Sequence, residues 1–339
     1  MLTLTMSRAL NEGLRCALRD DPRVLVMGED VGALGGVFRV TDGLLSEFGP
    51  QRVIDTPLGE SGIIGTAVGL AMRGYRPVCE IQFDGFVFPA FDQIVSQVAK
   101  LRARTEGRQP MPIVVRIPAG GGIGAVEHHS ESPEAYFAHT PGLRVVYPSS
   151  PSDAFRMIRQ SIALDDPVIF LEPKRCYWHK GEVEPEAELA DMPPLLAAQT
   201  VRLSPQRGVA DGPPRYSVSI VCYGPTVEWA MRAAEAATQQ GVTVEVVDLR
   251  ALSPLDLGSV EASVQRTHRL VVVHEAPGRV GLGAEIAAAV SERCFADLYA
   301  PVQRVVGLDI PYPPNRLEGA YLPTPERILD AVAMTLAAA

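Results

Sequence analysis

Asp55–Gly74, DTPLGESGIIGTAVGLAMRG, decides the reading of this 339-residue chain, because one acidic residue, Glu60, stands at the edge of an otherwise apolar, glycine-spaced helix. Pro57 holds Thr56 away from helical geometry and Gly59 is free to take unusual angles, so Asp55–Gly59 reads as a strand end and a turn. Ile63, Ile64, Ala67, Val68, Leu70 and Ala71 follow, apolar on nearly every side, which predicts a helix buried all round. Gly62, Gly65 and Gly69 remove side chains where another backbone could approach closely. A carboxylate at the mouth of such a helix is costly unless it is paired or does chemistry. The competing reading is that Glu60 complements the helix's positive end or caps its first turn.

Working outward toward the amino terminus, Val24–Met27 reads as a short strand followed by Gly28-Glu29-Asp30-Val31-Gly32, which puts acidic residues at a strand's carboxyl end. Ligands bind at that end in open α/β sheets. Gly32–Phe38 (GALGGVF) reads as a loop without a dinucleotide fingerprint, Thr41–Phe48 as a helix and Arg52–Asp55 as a strand.

Toward the carboxyl terminus, Pro77–Gln82 is a strand with Phe83-Asp84-Gly85-Phe86 at its end, and Pro89–Arg104 a helix with Phe91, Ile94, Val95 and Val98 inward. Phe86 could stack on a ligand ring or fill the core. After the strand Ile113–Ile117, the glycine loop Ala119–Ala125 lacks the Gly-Lys-Ser or Gly-Lys-Thr of a phosphate-binding P-loop. Glu127-His128-His129-Ser130-Glu131-Ser132 then concentrates ionisable groups. Adjacent histidines in an extended segment point to opposite sides and no third ligand stands at characteristic spacing, which argues against a metal. One histidine acting as acid, base or donor in a cleft, and a purely structural histidine, both remain open.

Leu143–Val146, the helix Ser152–Ile162 and the strand Val168–Leu171 complete a strand-helix alternation that predicts a mostly parallel sheet covered by helices, an α/β fold. Residues 1–180 form the expected first domain. Gly181–Pro214, acidic and rich in proline and glycine, reads as a connection, and the alternation restarts at Ser217, so 215–339 is a second, smaller α/β domain. His274-Glu275-Ala276 at a strand's carboxyl end is another candidate site, with core packing as its alternative.

Composition narrows the function classes. A net charge of −9 argues against a nucleic-acid surface, which needs clustered lysine and arginine. Five widely spaced cysteines without a C-x-x-C pair suggest neither a disulfide framework nor a zinc knuckle, and fit a reducing cytoplasm. Leu10, Leu14, Ala17 and Leu18 recur at helical spacing, so the first element belongs to the fold and not to a signal peptide. No apolar run approaches the roughly 20 residues of a membrane helix.

Taken in order, GEDVG at Gly28, DTPLGESGIIG at Asp55, EIQFDGFVFPAFDQI at Glu80, EHHSESPEAYFAHTPGLRVVYPS at Glu127, DDPVIFLEPK at Asp165, VVDLRALSPLD at Val246 and HEAP at His274 form a series. The series resembles the beta subunits of thiamin-diphosphate-dependent 2-oxo acid dehydrogenases over nearly the whole chain. The resemblance implies a transketolase-like pyrimidine-binding domain followed by a carboxyl-terminal domain. It also implies an α2β2 heterotetramer whose alpha subunit holds the diphosphate through Mg²⁺. The chain has no Gly-Asp-Gly motif and only two asparagines, Asn11 and Asn315, in keeping with a diphosphate site elsewhere.

The resemblance places Glu60 against the aminopyrimidine ring nitrogen, where sharing a proton favours the imino form that takes the proton from the thiazolium carbon. Burial on the Ile63 and Ile64 side is expected to make Glu60 hold its proton more readily. Leu58, Gln82 and Phe86 match positions lining the pyrimidine, with Phe86 the stacking ring. His129 matches the family histidine that helps pass the acyl group to a lipoyl arm. A structural potassium ion on backbone carbonyls of Ile113, Ser161, Leu164 and Asp166 is implied as well. The implied activity is decarboxylation of a 2-oxo acid with acyl transfer to a lipoyl-bearing acyltransferase core. HSESPEA and FLEPKRCYW look closest to the branched-chain (2-oxoisovalerate) enzymes, with pyruvate and acetoin dehydrogenases as alternatives and a non-catalytic scaffold subunit as a further one. Gly65 and Gly69 are then expected to face a helix of the alpha partner.

Overall fold

The computed structural model describes residues 1–205 and 216–338, which fall into two compact units. The first unit comprises Met1–Leu195 with Leu252–Pro254. Its main sheet has seven strands in the order Ala251–Ser253, Arg144–Val146, Val168–Pro173, Val114–Ala119, Arg76–Glu80, Val24–Gly28 and Val53–Asp55. From Arg144–Val146 to Val53–Asp55 every pairing is parallel. These strands are short apolar runs, many of them buried along their whole length, as expected where helices cover both faces of a parallel sheet.

The helix Met6–Asp20 starts where Thr5 accepts the Arg8 N–H, and it buries Leu10, Leu14 and Leu18. It packs on the helix Pro151–Ala163, which Ser150 caps through the Asp153 N–H with proline in the first turn. A Cβ at Gly13 would run into the Ile158 side chain, so only glycine allows this approach. Leu2–Thr5 pairs antiparallel with Lys180–Val183, a small ribbon that the sequence did not signal.

Two expectations change here. The helix Glu60–Met72 buries Ile63, Ile64, Ala67 and Ala71 on one face, and is not enclosed all round. Its other face, Ser61, Gly62, Gly65, Thr66, Gly69 and Met72, is exposed, because nothing else in the unit covers these mostly small residues. The stretch expected as one helix over Pro89–Arg104 is instead a 3-10 segment, Asp84–Ala90, then a π turn, Gln93–Val98, and an α-helix, Ala99–Arg104. Pro89 has no N–H to give to an α-helical ladder, which accounts for the tighter start.

The second unit, Leu196–Ala251 with Leu255–Ala339, has a five-stranded sheet in the order Gln303–Gly307, Leu270–Pro277, Ser217–Cys222, Thr243–Asp248 and Gln199–Leu203. The first four strands are parallel and Gln199–Leu203 is an antiparallel edge. Val218, Ile220, Val244, Val246, Val271 and Val273 meet Ala230, Ala233 and Ala234 of the helix Val227–Gln239 and Ile328 of the helix Pro325–Ala337 in one core. Within the segment read as a connection, Lys180–Val183 and Gln199–Leu203 are strands, while Arg207–Pro214 lies outside the described residues.

Candidate active site

The carboxyl ends of the central strands of the first sheet gather the candidate residues. Val24–Gly28 delivers Glu29, whose Oε1 accepts the Gly59 N–H at 3.1 Å, immediately before Glu60. Ile63 N–H closes the first helical turn on the Gly59 carbonyl. Glu60 is therefore presented as the first residue of its helix by backbone bonds and by Glu29, and it is partly buried. Burial raises the Glu29 carboxyl above its ordinary value, the Gly59 N–H opposes this, and the charges of Glu60 and Asp30 add to the rise. Two carboxylates thus stand close enough to feel each other at this mouth.

Arg76–Glu80 leads through Ile81 to Gln82, whose Nε2 donates to Asp30 Oδ2 at 3.0 Å and to the Glu29 carbonyl at 3.4 Å. Phe83 and Phe86 follow, their rings 5.7 Å apart and edge to face. His129 ends the short turn Glu127–His129, with its ring 4.1 Å from Phe83 and 5.2 Å from Phe86. A Cβ at Gly85 would clash with the His128 carbonyl, so the aromatic and histidine turns touch backbone to backbone. His128 is exposed, and its Nδ1 lies 3.4 Å from Glu127.

Desolvation lowers the His129 ring below its usual value, and the charges of His128 and Lys174 push the same way while Glu127 opposes them. Its Nδ1 is buried with no hydrogen-bond partner. Leu58, by contrast, is 85% exposed at the rim.

Two residues that the sequence did not single out complete the floor. Lys174, at the carboxyl end of Val168–Pro173, is fully buried; its Nζ donates to Asp84 Oδ1 and to the His129 carbonyl, each at 2.6 Å. Burial pushes the Asp84 carboxyl upward against the pull of Lys174. A lysine directly after the strand VIFLEP, apolar from Val168 to Leu171, was the available signal, since a charge leaving a parallel strand sits at the ligand end of the sheet.

The arrangement fits the pyrimidine half of thiamin diphosphate: a partly open ring to stack on, a carboxylate able to share a proton, and an unpartnered buried imidazole nitrogen beside them. For a metal, no group of three or more His, Cys, Asp or Glu side chains among the described residues could hold one. Glu29, Glu60, Gln82, Phe86 and His129 line one end of one sheet. The potassium candidates lie at another place, the start of Val114–Ala119 and the end of Pro151–Ala163. There Ile113 O takes the Val168 N–H, and Arg76 donates to Ile162 O and Leu164 O.

In the second unit His274 is fully buried, its Nδ1 3.0 Å from the Ala276 carbonyl and its Nε2 accepting the Gly283 N–H at 3.1 Å. Desolvation lowers it to about 4. A neutral ring fixed on both nitrogens packs the turn after its strand, which is a structural role. No helix among the described residues is long and apolar enough to cross a membrane.

Comparison with known proteins gives the class first. The transketolase pyrimidine-binding domain matches residues 3–178, and the transketolase C-terminal domain matches residues 213–328. A solved split-gene transketolase, described as an inactive beta4 tetramer, superimposes with a TM-score of 0.78 over 98% of both chains at 19% identity, a likeness of fold. The pyruvate dehydrogenase E1 component subunit beta of Leifsonia xyli subsp. xyli is 57% identical over 335 residues, 99% of this chain and 95% of that one. The 3-methyl-2-oxobutanoate dehydrogenase subunit beta of Mycobacterium tuberculosis is 52% identical over 338 residues, 98% of this chain and 92% of that one. A Staphylococcus aureus pyruvate dehydrogenase E1 component subunit beta is 43% identical over 99% of each chain. The chain belongs to the beta subunits of the thiamin-diphosphate-dependent 2-oxo acid dehydrogenases.

Proposed function

We propose that this chain is the pyrimidine-binding catalytic subunit of an α2β2 decarboxylase that hands an acyl group to a lipoyl-bearing acyltransferase core. The observation that carries the reading is the meeting of Glu60, Gln82, Phe86 and His129 at one sheet end, with the His129 Nδ1 buried and unpartnered. Thiamin diphosphate, when bound, supplies the electron sink for loss of carbon dioxide. Phe86 would stack on its pyrimidine, with Leu58 and Gln82 beside the ring and Glu60 holding a proton at the ring nitrogen. His129 would, in its protonated form, give a proton to the lipoyl sulfur that leaves as its partner sulfur takes the acyl group, and its lowered pKa makes that proton easier to give up. A scaffold subunit would have no use for this grouping.

The open face of the helix Glu60–Met72 supports an alpha-subunit interface at Gly65 and Gly69. Nothing lies within 4 Å of a Cβ built at Gly69, and only Gln93 within 4 Å of one at Gly65. Mg²⁺ and the diphosphate would be held by that partner. A potassium ion on Ile113, Ser161, Leu164 and Asp166 would have to share the Leu164 carbonyl with Arg76. The branched-chain reading rests on HSESPEA and FLEPKRCYW, and the 52% relative carries that name. The 57% relative, named for pyruvate, favours the second reading.

One reconstitution tests these points. Calorimetry with thiamin diphosphate and Mg²⁺ is expected to show tight binding only with the alpha partner present, and turnover to be faster on 2-oxoisovalerate than on pyruvate or acetoin. Comparable pyruvate rates would remove the branched-chain assignment, and tight binding to the beta chain alone would remove the shared site. In the same assay Gly69→Leu is expected to leave the beta chain folded and block assembly; normal assembly would exclude that face. An unchanged melting temperature on replacing potassium by sodium chloride would remove the ion.

A further inference from the structure

We propose that the buried Lys174 and Asp84 pair is a positioning device that holds the His129 turn against the Phe86 turn, so that acyl transfer depends on it more than decarboxylation does. This deepens the proposed function and rests on the acyl-transfer reading of His129.

Three elements meet at Lys174 Nζ. Lys174 itself leaves the strand Val168–Pro173, Asp84 begins the 3-10 segment that carries Phe86, and the third partner is the main-chain carbonyl of His129. Nζ also lies 5.7 Å from the Phe83 ring centroid, and that ring is 4.1 Å from the imidazole. Both charged residues are 0% exposed, so the pair is not a solvent-screened surface contact. Stability alone explains it poorly. Buried ion pairs are often no better than apolar replacements, and here Asp84 Oδ2 is buried with no hydrogen-bond partner. What the pair does achieve is a fixed height and tilt for a ring on a three-residue turn that otherwise makes few backbone bonds, Ser130 N–H to Glu127 O and His129 N–H to Val126 O.

Lys174 also adds a positive charge behind the ring. His128 acts in the same direction and Glu127 against it. Desolvation is the larger cause of the lowered His129 pKa, so loss of the Lys174 charge and loosening of the turn both raise it, and it is the selective loss of acyl transfer that marks positioning.

The test uses the assembled α2β2 enzyme and two rates: carbon dioxide release with an artificial dye as electron acceptor, and acyl transfer to an isolated lipoyl domain. Lys174→Met is expected to slow acyl transfer by about a hundredfold, the cost of roughly 1 Å of misplacement, and dye-linked release by no more than about threefold. The pKa governing acyl transfer should move upward. Equal losses in both rates, no loss, or an unmoved pKa would overturn the proposal. If Lys174→Met does not assemble, Asp84→Asn/Lys174→Met leaves no lone buried charge and should show the same selective loss. Failure of that variant to assemble would make the pair a folding element and overturn the proposal too. His129→Gln separates the two readings. If it leaves acyl transfer intact, the histidine's role is wrong; if it abolishes transfer while Lys174→Met does not, only the positioning pair is wrong.

Discussion

Glu60→Gln in the reconstituted enzyme is expected to lower decarboxylation by roughly 10²–10⁴-fold, the range for losing a positioned proton-transfer group. Glutamine keeps the shape of the side chain but cannot share a proton with a ring nitrogen. The fold has little stake in the carboxylate, because the helix start is held by the Gly59 N–H on Glu29 and the Ile63 N–H on Gly59. Assembly and melting should therefore stay within about 0.5 kcal/mol of the parent, as for a substitution away from the core. Any shift should be upward at neutral pH. The Glu60 charge contributes to the raised pKa of Glu29, so ionised Glu29 is disfavoured in the fold and stability falls as pH rises through its folded pKa. Removing the Glu60 charge relieves part of that. Dye-linked carbon dioxide release and thermal melts on the same preparation separate the effects. A rate within threefold of the parent would end the catalytic assignment.

Much of the first sheet was legible because its strands are short apolar runs punctuated by glycine and proline, and Val24–Gly28 and Val168–Pro173 emerge where the pattern put them. Leu2–Thr5, Lys180–Val183 and Gln199–Leu203 were not legible. They are partly exposed ribbons or edges, whose pairing depends on distant partners and not on local hydrophobicity. The helix Glu60–Met72 misled in an instructive way. Alternating small and branched apolar residues look buried on all sides, yet Gly62 and Gly69 face open space. Glu60, Phe86 and His129 were named from the resemblance, and the fold brings them to the same end of the sheet. Lys174 had its place at the end of a parallel strand as a signal, but nothing local shows that it meets Asp84, 90 positions away, in the interior.

Arg116→Met is expected to cost about 3–5 kcal/mol, the price of breaking a buried charge network by removing one partner. Arg116 is 1% exposed, and its Nη1 donates to Glu80 at 2.6 Å while Nε and Nη2 donate to Glu172 at 2.7 and 3.0 Å. Tyr177 OH donates to the same Glu172 at 2.6 Å. Although burial opposes it, Glu172 and then Glu80 hold the guanidinium above its ordinary value. Desolvation raises Glu80, Arg116 lowers it, and Glu172 raises it again. Without Arg116 the Glu80 carboxyl loses the charge that lowers it while Glu172 still faces it, so it takes up a proton more readily. A raised folded-state pKa means stability is retained below the unfolded value and lost as pH rises through the folded one, so the deficit should be smaller at pH 5 than at pH 8. Glu80→Gln/Arg116→Met/Glu172→Gln, with no buried charge left, should recover most of the loss. The network also reaches the site, since Tyr177 lies 4.8 Å from the Phe38 ring and Phe38 lies 5.5 Å from Phe83. Weakening it should therefore loosen the aromatic wall beside His129 before the sheet melts. Thermal melts of the single and triple variants across this pH range decide the matter: a deficit below about 1 kcal/mol, or one that grows as pH falls, would show that the three charges do not act as a unit.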